Sequence, residues 1–118
     1  MKKLITVILI VTLLFTSVCF AQPVFTKSSG ILSSTGAIYA KPGILTGCLA
    51  LTDGTHNAIL TLYDGTSASG NMLVQIPVTA AALFGGATFE IPVSFGTALY
   101  ATVSGTGATF IVYYNVGP

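Results

Sequence analysis

Charge is the scarcest property of this 118-residue sequence: four Lys and Arg, three Asp and Glu, 6% of the chain. Ordinary domains carry about a quarter. No basic run exists to neutralise phosphates, so nucleic acid is not an expected partner. Histidine occurs once, at His56. A Ser-His-Asp device would have to use it, with Asp53, Asp64, Ser67 and Ser69 as nominal companions, but the sequence holds no G-x-S-x-G. Cysteine occurs at Cys19 and Cys48 alone, which leaves zinc without its Cys and His cluster. Gly105-x-Gly107 precedes no helix and reads as a turn rather than a phosphate cradle. No cofactor and no enzymatic activity are expected. After residue 21, no stretch of about ten or more residues carries a helical period of apolar positions.

The N-terminus is different. Lys2 and Lys3 precede an apolar run over residues 4–15, then Thr16-Ser17 and a small residue at Ala21. This is the layout of a secretory signal peptide over residues 1–21, cleaved after Ala21, so that the mature chain begins at Gln22. Two other readings stand beside it. Cys19 is a lipidation candidate, although Thr16 and Val18 occupy the positions where a lipobox places Leu and a small residue. Residues 4–20 retained as an anchor would lie at the lower limit of the roughly 17 to 25 residues that cross a bilayer. The expected location is secreted, periplasmic or cell-surface, with the membrane engaged only through the signal peptide. The mature remainder is one small domain with Cys48 as its lone thiol, set in an apolar strand as a small buried hydrophobe. Lys27 and Lys41 stand against Asp53, Asp64 and Glu90, a net charge of −1. A surface of Thr, Ser, Gly, Asn and Ala offers little repulsion between copies and suits packing in an assembly or on a cell surface.

What fills the chain is short β-branched runs between turns. Residues 36–40 (GAIYA) predict a strand, stopped at Lys41-Pro42-Gly43, where Pro then Gly favours a type II turn with positive φ at Gly43. Residues 44–52 and 58–64, separated by a segment carrying Asp53-Gly54, predict a β-hairpin leading into a third strand. Leu45, Gly47, Leu49 and Leu51 share one face of the first run and Ile44, Thr46, Cys48, Ala50 and Thr52 the other. Both are apolar, as in a central strand. Residues 65–71 read as a loop. Met72, Val74, Ile76 and Val78 share one face of the next strand. Residues 79–86 (TAAALFGG) are a helical turn or a crossing loop. Phe89, Ile91, Val93 and Phe95 then alternate with Thr88, Glu90, Pro92 and Ser94, an inward and an outward row. Pro77 and Pro92 cannot donate to a ladder, which places both strands at sheet edges. Strands over 99–104 and 108–114 close the domain around a turn at 105–107. Residues 22–35 read as an N-terminal arm or an edge strand near Val24 and Phe25. The whole predicts an all-β chain: a single antiparallel β-sandwich over 36–118 with seven to eight short strands.

Seven residues are candidates for surface recognition: Asp53, His56, Asn57, Tyr63, Asp64, Tyr100 and Tyr113. Leu51-Thr52-Asp53-Gly54-Thr55 is echoed by Leu62-Tyr63-Asp64-Gly65-Thr66. Both place Gly directly after Asp, the reverse of the aspartic-protease order, and read as turns in which Asp accepts backbone N–H bonds. Asp53, Asp64 and Asn57 could supply some of the six to eight oxygens that calcium takes. Tyr63, Tyr100 and Tyr113 are either a platform for sugar rings or packing partners across strands.

The stretches Ala40-Lys41-Pro42-Gly43-x-Leu45-x-Gly47, 62–70 (LYDGTSASG) and 91–107 (IPVSFGTALYATVSGTG) together resemble the small β-sandwich proteins of tailed phages and prophages. The resemblance covers roughly residues 36–114. It implies a jelly-roll-like sandwich and a virion-associated structural role; the signal peptide departs from that pattern and favours an exported cellular relative. The expected function is therefore an exported, non-enzymatic structural protein. Its copies would associate through strand edges, or through residues 22–35 adding to a neighbour's sheet. A glycan- or surface-binding module using loops 53–57 and 65–71, and a phage virion component, are the alternatives. Partners would be a second copy, other surface or virion proteins, or a glycan.

Overall fold

The computed structural model describes residues 26–116. Eight strands follow one another: β1 (Thr26–Ser28), β2 (Gly36–Tyr39), β3 (Gly43–Leu51), β4 (Ala58–Asp64), β5 (Asn71–Val78), β6 (Phe84–Phe95), β7 (Leu99–Ser104) and β8 (Thr109–Val116). A single 3₁₀ turn, Ala80–Ala82, lies between β5 and β6. The strands form two four-stranded sheets, ordered β1-β8-β3-β6 and β2-β7-β4-β5, with every pairing antiparallel. The pairs β4–β5, β3–β6, β2–β7 and β1–β8 are the rungs of one long hairpin with its tip at the β4–β5 loop. Rolling that hairpin sends alternate rungs to opposite sheets and adds the β8–β3 and β7–β4 pairings. This is the jelly roll, an all-β sandwich.

The roll corrects the expected hairpin of residues 44–64. β3 and β4 belong to different sheets, and residues 52–57 carry the chain across the sandwich between them. The hairpin is the next pair, β4 with β5, closed where Asp64 faces Asn71. A tight hairpin needs a two-residue loop whose twist matches its strands, and the span after Leu51 is too long for one. The Pro42-Gly43 turn is also corrected. Gly43 is absent from the positive-φ glycines and is the first residue of β3. It is glycine because a Cβ there would stand 2.6 Å from the Phe95 ring and 2.7 Å from the Asn115 carbonyl oxygen.

Register shifts explain which side chains reach the core. Between Leu45 and Gly47 the pairing of β3 with β8 slips at Thr46, so the inward set changes from Leu45 to Cys48 and Ala50. A one-residue slip turns every following side chain to the other face. Opposite Thr46, strand β6 bulges over residues 89–92. Ile91, expected in the inward row, is carried outward by this bulge and is 85% exposed. Met72 is likewise turned out, because a shift at Leu62/Tyr63 breaks the alternation of β5. β6 begins at Phe84, so the last three residues of the expected crossing segment are already strand.

The core lies between the sheets, with Leu45, Phe95, Phe110 and Val112 from one and Leu60, Leu62 and Leu99 from the other fully buried. Each such side chain contributes about 1.5–3 kcal/mol by leaving water. Cys48 is buried here, and burial pushes its thiol up to about 11, so it stays a protonated packing residue. β5 and β6, which carry Pro77 and Pro92, are edge strands as expected. β1 is an edge as well, and it pairs with the chain's own β8. The expected strand near Val24 and Phe25 and the signal peptide lie outside the described residues.

Candidate functional site

The registers sort the loops by end. Leu51 faces Thr109 and Ile59 faces Ser104, so loops 52–57, 79–83 and 105–108 share one end. Asp64 faces both Leu99 and Asn71, which puts loops 65–70 and 96–98 at the other. Seven residues of β4 separate the two ends, a span of about 20 Å. His56 and the Ser67/Ser69 pair are therefore far apart, and no hydroxyl or thiol among the described residues hydrogen-bonds His56.

At the first end Asp53 is bound within its own loop. Its Oδ1 accepts the N–H groups of Thr55 and His56, each at 2.8 Å, and its Oδ2 accepts His56 Nδ1–H at 2.8 Å. The imidazole bond first, then the two backbone N–H groups, lower the carboxyl from 3.8 to about 2. Asn57 Oδ1 accepts Ala80 N–H at 2.9 Å and so fixes the start of the 3₁₀ turn. The Leu83 carbonyl receives Thr52 N–H at 2.8 Å. Leu83 itself has φ 68 and ψ −39, a sparsely populated conformation for a bulky residue, which costs about 1–3 kcal/mol. Asp53 and Asn57 thus each accept bonds within this end of the sandwich, and Asp64, the third oxygen donor considered for calcium, lies at the other end. No group of three or more His, Cys, Asp or Glu side chains gathers among the described residues.

At the other end Asp64 reaches far along the chain. Its Oδ2 accepts Gly96 N–H at 2.8 Å, and its Oδ1 accepts Thr97 N–H at 2.9 Å and Ala98 N–H at 3.4 Å. The bonds from Gly96 and Thr97 are the main cause of its lowered pKa. Gly65 N–H returns a bond to the Ala98 carbonyl at 3.0 Å. Asp64 is a clasp between the β4–β5 and β6–β7 turns.

The tyrosines divide between the faces. Tyr63 and Tyr100 are directly paired across β4 and β7, on the outer face of their sheet, with Met72 next to Tyr63. Tyr113 is on β8 in the other sheet, so a platform of three is corrected to a pair. Thr61 and Gln75 form the adjoining row, joined by a 3.2 Å bond from Gln75 Nε2 to Thr61 Oγ1.

The feature that residue-by-residue reasoning missed is the placing of charge. Lys27 sits on β1, Lys41 in the β2–β3 turn, Glu90 in the β6 bulge, and Asp53 and Asp64 at the ends. The outward rows Thr109–Leu51–Phe84, Ile111–Leu49–Gly86 and Tyr113–Gly47–Thr88 carry no charged side chain, and Glu90 follows Thr88 on the edge strand β6. The apolar outer row of β3 was the available signal, since a strand apolar on both sides asks for cover on both. Comparison with protein-family models, with curated proteins and with solved structures gave no match, and nothing there links the chain to phage proteins.

Proposed function

We propose that this is an exported, non-enzymatic structural protein that assembles with copies of itself. The observation that supports this reading is the uncharged middle of each sheet, with the charge of the described residues on edge strands, in turns and at the end of β4. Strand-edge pairing is the less favourable route: β1 is three residues long and carries Lys27, β5 carries Pro77, and β6 carries Pro92 and a bulge. Such features blunt edges against further strands. Sedimentation of the purified protein over a wide concentration range, with electron microscopy of the concentrated sample, tests the proposal. Discrete oligomers, fibres or sheets are expected; a monomer at every concentration overturns it. N-terminal sequencing of the exported form should begin at Gln22.

The Tyr63–Tyr100 pair favours a second reading, recognition of a sugar ring on the β2-β7-β4-β5 face. A glycan array that lights up with the native protein and goes dark with Tyr100→Ala is its expected result.

A further inference from the structure

We infer that a second copy of this chain packs on the outer face of the β1-β8-β3-β6 sheet, about a twofold axis running close to β3. The inference rests on the self-association proposed above and names the surface that carries it.

The face is built from three registered rows: Thr109–Leu51–Phe84, Ile111–Leu49–Gly86 and Tyr113–Gly47–Thr88. Ile44 extends it between Asn115 and Ser94. Phe84 is 64% exposed, and Ile44 and Tyr113 are exposed as well. β3 is thus apolar on the side that meets the core and equally apolar on the outer side, which no other sheet of the described residues covers. The three rows carry no charge, with Glu90 exposed just beyond Thr88 on the edge strand, and an apolar patch of this extent marks an interaction surface. Strands about 4.8 Å apart and about 3.4 Å per residue give the sheet roughly 500 Å² in projection. The accessible area of a corrugated face exceeds its projection, which brings it toward the ~800 Å² per partner of a stable interface.

The occupant follows from the rows themselves. Each has a large side chain at one end and a small one at the other. A twofold along β3 lays the β8 side of one copy over the β6 side of the second. Phe84 then meets Thr109, Tyr113 meets Thr88, and Ile111 meets Gly86, beside which the Leu49 side chain leans. The face is therefore complementary to itself, the condition for an isologous dimer. Aligned sheets pack about 10 Å apart at about 30°, an angle that a twofold inclined slightly to β3 produces.

The test compares sedimentation of the native protein with Phe84→Lys and Ile111→Lys on this face and Met72→Lys on the opposite one. Thermal melts of each variant confirm that it is folded. The expected result is that native protein and Met72→Lys associate alike, while each of the other two weakens association at least about tenfold. Equal association by all four overturns this face and leaves self-association standing. A native protein that never associates overturns both. Should Ile111→Lys unfold the sheet, Leu49→Cys supplies a second measurement. A short bis-maleimide should join two copies through it but not through Met72→Cys, the buried native Cys48 staying inert. Failure of that cross-link in an associating sample likewise overturns the face.

Discussion

At one end of the sandwich Asp53-Gly54-Thr55 carries the chain from β3 to β4; at the other, Asp64-Gly65-Thr66 carries it from β4 to β5. The first turn spans the two sheets and Asp53 binds only residues two and three places on. The second closes a hairpin within one sheet, and Asp64 binds backbone 32 to 34 residues away. One local sequence thus serves an autonomous loop and a long-range clasp. The difference lies in what the roll of the sheets brings alongside each carboxylate.

The largest effect that would sharpen this contrast is expected at Gly70. A Cβ there would collide with the Asp64 backbone carbonyl, and the hairpin would have to shift to make room. Gly70→Ala should cost about 3 kcal/mol in urea unfolding. At Gly54 a Cβ would meet only the Leu83 side chain, at 3.4 Å. There the cost is that of φ +84 alone, about 1 kcal/mol. Equal costs at the two glycines would erase the distinction between the turns.

Asp64→Ala comes next, between these two. It strands three backbone N–H groups, two of them in exposed residues that water can reach. A loss of about 2 kcal/mol is expected, or a melting temperature lower by about 10 °C. The pH dependence has a definite sign. Both carboxyls are lower in the folded chain than in the unfolded one. Their contributions are present above the ordinary value of 3.8 and are lost as pH falls through the folded values, about 2 for Asp53. Urea midpoints measured from pH 5 downward should fall across this range. Asp64→Asn should flatten that fall, and an unchanged slope would remove the clasp from the account.

Much of this fold was legible in the sequence because strand signals are local. Pro77 and Pro92 announced edge strands, and Gly105-Thr106-Gly107 announced its turn, since a missing N–H or a positive φ acts where it stands. What escaped was non-local. The β3–β4 crossing, the outward turn of Ile91 and the reason for Gly43 each depend on a strand distant in sequence. The candidate residues divided in the same way. Asp53, His56 and Asn57 share one loop because they are neighbours in sequence, whereas nothing near Asp64 pointed to Gly96, and nothing near Tyr63 pointed to Tyr100 rather than Tyr113.

The smallest effect is expected at Asp53, and it is the strictest test of autonomy. Asn at this position keeps an oxygen for the Thr55 and His56 N–H groups, and its amide can donate to His56 Nδ1 once the imidazole adopts the other tautomer. Only the charge is lost, in a loop open to water. Asp53→Asn should therefore melt close to the native protein at neutral pH, well short of the fall produced by Asp64→Ala. The small remaining gap should close between about pH 4 and pH 2, where the native carboxylate itself takes up a proton. A fall as large as that of Asp64→Ala would show that Asp53 holds more than its own loop. The place to look would be Gly107, whose backbone lies so close that a Cβ there would stand 2.8 Å from the Asp53 Cβ. In that event the β3–β4 and β7–β8 turns would form a second clasp, and the two ends of the sandwich would differ in reach rather than in kind.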